Sequence, residues 1–330
     1  MKSVLIIPDS GTMNLGDEII TQSCLSQIDL NQVSFKISSH QYHPRYLSNI
    51  VKDSDYLLML GTNCISTTAC FPWKVQLKLF APHAVHTFKR YISKILLMGC
   101  GLTSKCDGHT IFRPYSYLFN KIFLSNNYIH SVRDEPSRLY LAKLGFDVLN
   151  TSCPTTWNLP KSHMGIDKIT AICLSVTDYN KNLERDLCWV GSIDIFDFPI
   201  FIFCQGPGDK KYFLSILDKL SNREKFNNII FIESLNYLKL LTKRYNFVHI
   251  GTRLHCSAFF WSYGMISFLI EIDQRSNGIR KNGVFPIISL EHYKNLPLLS
   301  ELISAYELPQ NSEYINNNIL IYKKQLDLFK

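Results

Sequence analysis

Short apolar runs alternating with longer amphipathic stretches constrain what this chain can fold into. Strands are expected at 3–8, 33–38, 55–60, 95–100, 128–132 and 147–151, and again at 168–176, 199–204, 228–233, 247–250 and 265–272. Between them, helical spacing of apolar residues runs over 17–28, 75–93, 112–124, 135–144, 209–220, 234–244 and 254–263. Such alternation favours parallel sheets covered by helices on both faces. The expected fold class is α/β, with two Rossmann-like, doubly wound domains facing a cleft. The first spans 1–157 and the second 166–310, joined by a linker at 157–165. The remainder, 311–330, carries Ile315, Ile319, Tyr322 and Leu326 near helical spacing and is expected to pack back on the first domain.

Composition narrows the function classes. With 46% hydrophobic and 19% charged residues, the 330-residue chain can bury two cores and does not read as disordered. Its formal charge of +8 suits anionic ligands. The basic residues are scattered, with no run longer than Lys323-Lys324 or Lys243-Arg244, which argues against nucleic acid as a partner. Ten cysteines without a CxxC pair argue against a zinc knuckle or a redox motif and fit a reducing cytoplasm. The N-terminus enters a strand directly rather than a leader, and no apolar run reaches the ~18 residues that span a bilayer. The expectation is a cytoplasmic protein, with peripheral association at the inner face of a membrane compatible with it.

Ligands of open α/β sheets sit beyond the carboxyl ends of the strands, and the notable polar residues fall there. Val248-His249-Ile250-Gly251 leads into Thr252-Arg253-Leu254-His255-Cys256. If 252–255 remain extended, Arg253 and His255 share a face while Leu254 points to the core. A fixed cation beside a histidine, whose ordinary pKa is near 6.5, suits binding an anion and moving a proton on it. Ser131-Val132-Arg133-Asp134-Glu135-Pro136-Ser137 places Arg133 at another strand end, as an anion clamp or as an ion-pair partner of Asp134 or Glu135. Asn14-Leu15-Gly16-Asp17-Glu18 is a strand-to-helix turn that Asp17 can cap. Cys204-Gln205-Gly206-Pro207-Gly208-Asp209 is either a cradle for a phosphate or sugar or a capped turn, and Thr177-Asp178-Tyr179 faces the same rim. Asp273 and Arg275, after the strand at 265–272, either bind acceptor hydroxyls or pair with each other.

The pairs His83/His86 and His40/His43 lack an evident third ligand, so no metal is expected. Cys153 and Cys256 read as buried thiols.

Taken together and in this order, Asn14-Leu15-Gly16-Asp17, Ser131-Val132-Arg133-Asp134-Glu135 with Ser137, Gln205-Gly206 with Asp209, and Gly251-Thr252-Arg253-Leu254-His255 resemble the motifs of the polysaccharide pyruvyl transferase family. The resemblance runs on to Asp273-Gln274-Arg275. At the domain junction many members carry Asp-Pro; Cys153-Pro154-Thr155-Thr156-Trp157 is instead similar to a bacterial subset that shares the Asp-x-Arg element.

The resemblance implies a fold like that of the GT-B glycosyltransferases and transfer of a pyruvate ketal from phosphoenolpyruvate to two hydroxyls of a sugar in a bacterial surface glycan or its precursor. It places Arg133, Arg253 and His255 in the catalytic role. Leu254 is their packing neighbour at the donor; from their positions rather than from the resemblance, Gln205 and Gly206 are expected to join the donor site, and Asn14, Asp17, Asn63, Asp273 and Arg275 are expected at the acceptor. Phosphoenolpyruvate and a sugar or lipid-linked oligosaccharide are then the partners, with no cofactor. The sequence sets no oligomeric state. Two alternatives stay open: a GT-B-type glycosyltransferase using a nucleotide sugar, and a non-catalytic glycan-binding member of the fold.

Overall fold

Alternate residues of nearly every strand are apolar on both faces, the pattern of a parallel sheet buried between helices. A computed structural model of the chain describes residues 3–7, 14–28, 34–37, 55–61, 65, 93–102, 120–194, 197–284, 286–289 and 297–327. The chain divides into two units. One comprises Met1–Thr12, Ile20–Trp157 and Ser312–Lys330, the other Met13–Ile19 and Asn158–Asn311.

Along the first part of the chain run β1 (Ser3–Ile7), α1 (Leu15–Leu25), β2 (Ser34–Ile37), β3 (Tyr56–Leu60), β4 (Ile95–Met98), β5 (His130–Val132), α2 (Glu135–Lys143) and β6 (Val148–Asn150). The first unit's sheet has the order β2-β1-β3-β4, all parallel, and a bridge from Cys100 to Val132 continues it to the parallel pair β5-β6. Leu57, Met59, Ile95 and Leu97 face α2 through Tyr140, Leu141 and Leu144. Their neighbours Leu58, Leu60, Leu96 and Met98 face the other way, towards Ile20 and Cys24 of α1.

The second part of the chain runs β7 (Ala171–Ser175), α3 (Leu183–Gly191), β8 (Ile200–Phe203), α4 (Asp209–Leu217), β9 (Ile230–Ile232), α5 (Leu235–Leu241), β10 (Phe247–Gly251), α6 (Leu254–Ser262), β11 (Ile266–Ile270), α7 (Gln274–Lys281), β12 (Ile287–Ile288) and α8 (Leu299–Ser304). Its six parallel strands are ordered β12-β11-β10-β7-β8-β9, the doubly wound order. Ile172, Leu174, Ile200, Ile202, Val248 and Ile250 build one core. Ala171, Cys173, Phe201, Phe203 and Phe247 build the other with Phe259 and Phe260 of α6.

The last helix, α9 (Glu313–Leu326), belongs to the first unit. Ile315, Ile319, Tyr322 and Leu326 fill the core beside Trp157. Polar side chains fix its register: Tyr322 Oη donates to the Leu97 carbonyl at 2.8 Å, and Gln325 exchanges two hydrogen bonds with the Ile129 backbone.

One boundary differs from the sequence expectation. Residues 13–19, read as part of a first domain spanning 1–157, group with the second unit. The cause is local: Leu15 N–H donates to the Gln205 carbonyl at 2.8 Å, and Ile19 is buried among Ala171, Cys173 and Phe201. Helix α1 therefore starts in one unit and ends in the other.

Candidate functional site

In the second unit's sheet, β7 and β10 are neighbours, while the chain leaves them towards opposite edges. Such a switch point opens a crevice beyond the strands' carboxyl ends. There, Thr252 N–H donates to the Ser175 carbonyl at 2.9 Å and the Thr252 hydroxyl to that of Thr177 at 2.9 Å. Beneath them His249 is wholly buried between the hydroxyls of Ser175 and Ser267, a core histidine. Extended backbone stops at Arg253, with φ −92° and ψ 102°, and α6 begins at Leu254. Arg253 and His255 thus do not alternate along a strand as expected; one precedes the helix and the other lies in its first turn, because the glycine-threonine turn ends the strand sooner.

Arg253 is held on several sides. Nε donates to the Val176 carbonyl at 3.0 Å and to Asp209 Oδ2 at 2.9 Å. Nη2 donates to Asp209 Oδ1 and, at 3.0 Å, to Asp178 Oδ1. Nη1 has no acceptor among the described residues. Burial raises the Asp209 pKa, opposed by the hydrogen bond from Arg253. Asp178, with its side chain 28% exposed, is the more accessible of the two carboxylates.

The turn at 204–209 is not the open phosphate cradle that its glycines suggest. Gly206 N–H, which an anion would need, donates instead to Asp209 Oδ2 at 2.8 Å, and Asp178 N–H takes Oδ1 at 3.2 Å. Gly206 is required by close approach, since a Cβ there would stand 2.5 Å from Arg253 Nη2.

The opening of α1 lines the same region of the second unit. Asn14 Oδ1 accepts from Gly16 N–H at 3.1 Å and from Gln205 Nε2 at 3.1 Å, while Asn14 Nδ2 donates to Asp17 at 3.2 Å. Asn14, rather than Asp17, satisfies the first turn, and both belong with Gln205 rather than with a first-domain rim. A Cβ on Gly16 would stand 2.4 Å from Gln205 Nε2 and 3.0 Å from His255 Nδ1, so this backbone lies directly against both side chains. His255 is buried, as is Leu254.

Asp273 and Arg275 resolve towards mutual pairing. Asp273 caps α7 by accepting from the Arg275 and Ser276 N–H groups, and its Oδ2 accepts from Arg275 Nε at 2.8 Å. The exposed ring of Tyr179 has the Arg253 guanidinium 5.0 Å and the Arg275 guanidinium 5.1 Å from its centroid. Its hydroxyl donates to Asp273 at 3.2 Å.

Arg133 lies in the first unit, at the end of β5, and is buried. Its Nε is 3.7 Å from Asp134 Oδ2, and Asp134 also caps α2 by accepting from Ser137 N–H at 2.9 Å. Gly101, unremarked in the sequence, makes room for it: a Cβ there would stand 2.4 Å from Arg133 Nε. Asn63, and the histidine pairs at 40/43 and 83/86, lie outside the described residues. Among the described residues no cluster of three or more His, Cys, Asp or Glu is arranged to hold a metal. Cys153 and Cys256 are buried, and burial raises the Cys256 thiol well above its ordinary value. No helix among the described residues is long and apolar enough to cross a membrane.

A family model described as polysaccharide pyruvyl transferase matches residues 14–265. No curated protein matches the chain. Among solved structures it is similar to the UDP-GlcNAc 2-epimerase of Methanocaldococcus jannaschii in complex with UDP-GlcNAc and UDP, at TM-score 0.50 and 14% identity over 98% of this chain and 100% of that one. It is similar also to the S. aureus MnaA–UDP co-structure, at TM-score 0.51 and 10% identity over 100% and 98% of the two chains. A third likeness is to Anabaena Alr3699/HepE in complex with UDP and glucose, at TM-score 0.53 and 8% identity over 100% and 97%. At these identities the likeness establishes the fold alone, a GT-B-like fold with two Rossmann-like units.

Proposed function

The chain belongs to the polysaccharide pyruvyl transferase family, and is thus a transferase; from that premise we propose that its donor is phosphoenolpyruvate and its acceptor a pair of hydroxyls on a sugar destined for a surface glycan. The observation that carries this reading is the fixed guanidinium of Arg253 at the switch point, with Nη1 unclaimed and His255 in the first turn of the helix that follows.

Arg253 already faces two carboxylates, so an incoming anion must compete with one of them. Asp178 is the exchangeable partner: it is part-exposed and makes a single bond to Nη2. Releasing it opens the Nη1–Nη2 edge, which matches a carboxylate bidentately. Asp209 keeps the guanidinium in plane throughout.

His255 gives a proton to the methylene carbon of phosphoenolpyruvate, converting it to a methyl group and leaving an oxocarbenium centre. A sugar hydroxyl adds there and loses its proton to His255, restoring the acid. The C–O bond to phosphate then breaks, and the second hydroxyl closes the ketal, its proton leaving with inorganic phosphate. One phosphate is released per ketal, and no redox step is involved.

The test is phosphate release from phosphoenolpyruvate in the presence of lipid-linked and UDP-linked sugars, with the sugar product weighed by mass spectrometry. UDP-linked sugars are included because structures sharing this fold were determined with UDP-GlcNAc or UDP. A gain in sugar mass matching one carboxyethylidene group supports the reading. Glycosyl transfer from the nucleotide sugar, with phosphoenolpyruvate inert, would replace it.

A further inference from the structure

Two side-chain amides fix one another's orientation at the start of α1. The Asp17 carboxylate only accepts, so the Asn14 atom 3.2 Å from it is the donating Nδ2. That turns Asn14 Oδ1 towards Gly16 N–H, which only donates, at 3.1 Å. The same oxygen accepts from Gln205 Nε2 at 3.1 Å. Turning the Gln205 amide over would set oxygen against oxygen, so its orientation follows from the network around it.

The consequence falls on the far side of that amide. Gln205 Oε1 is buried and has no hydrogen-bond partner among the described residues, in a residue only 3% exposed. A buried acceptor left without a donor destabilises the fold, so a ligand that brings a donor to it gains a hydrogen bond that the protein alone does not make.

We propose that Gln205 Oε1 recognises the acceptor, taking the hydrogen of a sugar hydroxyl beside His255. This rests on the pyruvyl-transfer reading of the same site and reassigns Gln205, which the sequence reading placed at the donor. Phosphoenolpyruvate in its fully ionised form brings acceptor atoms only, and would face Oε1 with like polarity. A sugar hydroxyl brings the missing donor. Gly16 lies against both Gln205 Nε2 and His255 Nδ1, which places the amide and the proposed acid along one stretch of backbone. Asn14 and Asp17 are then positioning residues, acting on the sugar through the amide they orient.

The experiment compares wild type with Gln205→Met, which keeps side-chain length and removes the amide. Thermal unfolding is followed with phosphoenolpyruvate and, separately, with UDP-glucose, UDP-galactose and UDP-N-acetylglucosamine. The expected result is that at least one sugar stabilises the wild type, that Gln205→Met weakens that sugar about tenfold, and that phosphoenolpyruvate changes by no more than about twofold. Loss of the phosphoenolpyruvate effect with the sugar effect intact, or equal loss of both, overturns the assignment. So does a wild type that none of the three sugars stabilises. Gln205→Leu, which likewise removes the amide, should show the same selective loss and serves if the methionine variant does not fold. Phosphate release is scored separately. Its absence with every sugar, alongside a sugar effect that Gln205→Met removes, dismisses pyruvyl transfer and leaves the hydroxyl contact standing.

Discussion

Arg253 donates to both carboxylate oxygens of Asp209, from Nε to Oδ2 at 2.9 Å and from Nη2 to Oδ1. This buried pair sets the plane of the guanidinium and leaves Nη1 as the unclaimed nitrogen. Lysine cannot reproduce it, since one ammonium cannot span both oxygens and also present a second nitrogen to a ligand. Arg253→Lys should raise the KM for phosphoenolpyruvate at least tenfold, about 1.4 kcal/mol, with a smaller effect on the sugar KM. Steady-state phosphate release with each substrate varied in turn measures this. An unchanged donor KM counts against the clamp.

His255 is expected to act on the chemical step more than on binding. Removing a positioned general acid commonly costs 10²–10⁴-fold in rate, about 3–5 kcal/mol of barrier. His255→Gln should lower kcat within that range while phosphoenolpyruvate still stabilises the protein against heat. Full turnover in this variant would exclude the imidazole as the acid.

Gly206→Ala tests the packing around the clamp without touching a charge. The added methyl would stand 2.5 Å from Arg253 Nη2, so the guanidinium must shift from Asp209 or the turn must open. A misplacement of this size is expected to reduce kcat/KM for the donor by about 10²-fold while the circular dichroism spectrum is retained. Wild-type kinetics would mean that the turn yields and the arginine does not.

A pH dependence of stability follows from His130, at the start of β5 in the first unit. Its Nδ1 accepts from Leu97 N–H at 3.3 Å and its Nε2 donates to the Ser125 carbonyl at 2.8 Å, so the ring is bonded in its neutral form. Burial lowers its pKa to about 4. An unfolded chain protonates this imidazole near pH 6.5, so between pH 6.5 and 4 the unfolded state holds the extra proton. Stability should therefore fall as the pH drops through that window, by about 3 kcal/mol in all, and the contribution should level off below pH 4. Urea midpoints at pH 7.0, 5.5 and 4.5 read the slope. His130→Gln should flatten it, and an equal slope in both proteins would assign the effect to other groups.

Strands such as Phe201-Ile202-Phe203 were legible in the sequence because both faces of their sheet are buried and the apolar run is nearly continuous. The placement of Arg133 and Arg253 near strand ends was legible too, Arg133 directly after Val132 and Arg253 two residues past Gly251. What surrounds the arginines was not. Asp209 and Asp178 lie 44 and 75 positions from Arg253, and no local spacing signals that both carboxylates meet one guanidinium. Asn14 shows the same limit: its neighbours in sequence suggest a first-domain turn, whereas its partner Gln205 is 191 positions away. The glycines were visible as turn formers, but the reason for Gly101 and Gly206 is the side chain lying across each.

The closing helix, Glu313–Leu326, has a consequence for the order in which the protein can be made. Tyr322 bonds the Leu97 carbonyl and stands 5.8 Å, ring to ring, from Trp157, so the first unit's interior is sealed by a helix that leaves the ribosome only after Asn158–Asn311. The intervening stretch, Asn158–Asn311, emerges earlier and carries a complete six-stranded sheet. Synthesis in the N-to-C direction therefore leaves the first unit's strands without this part of their core until the helix arrives.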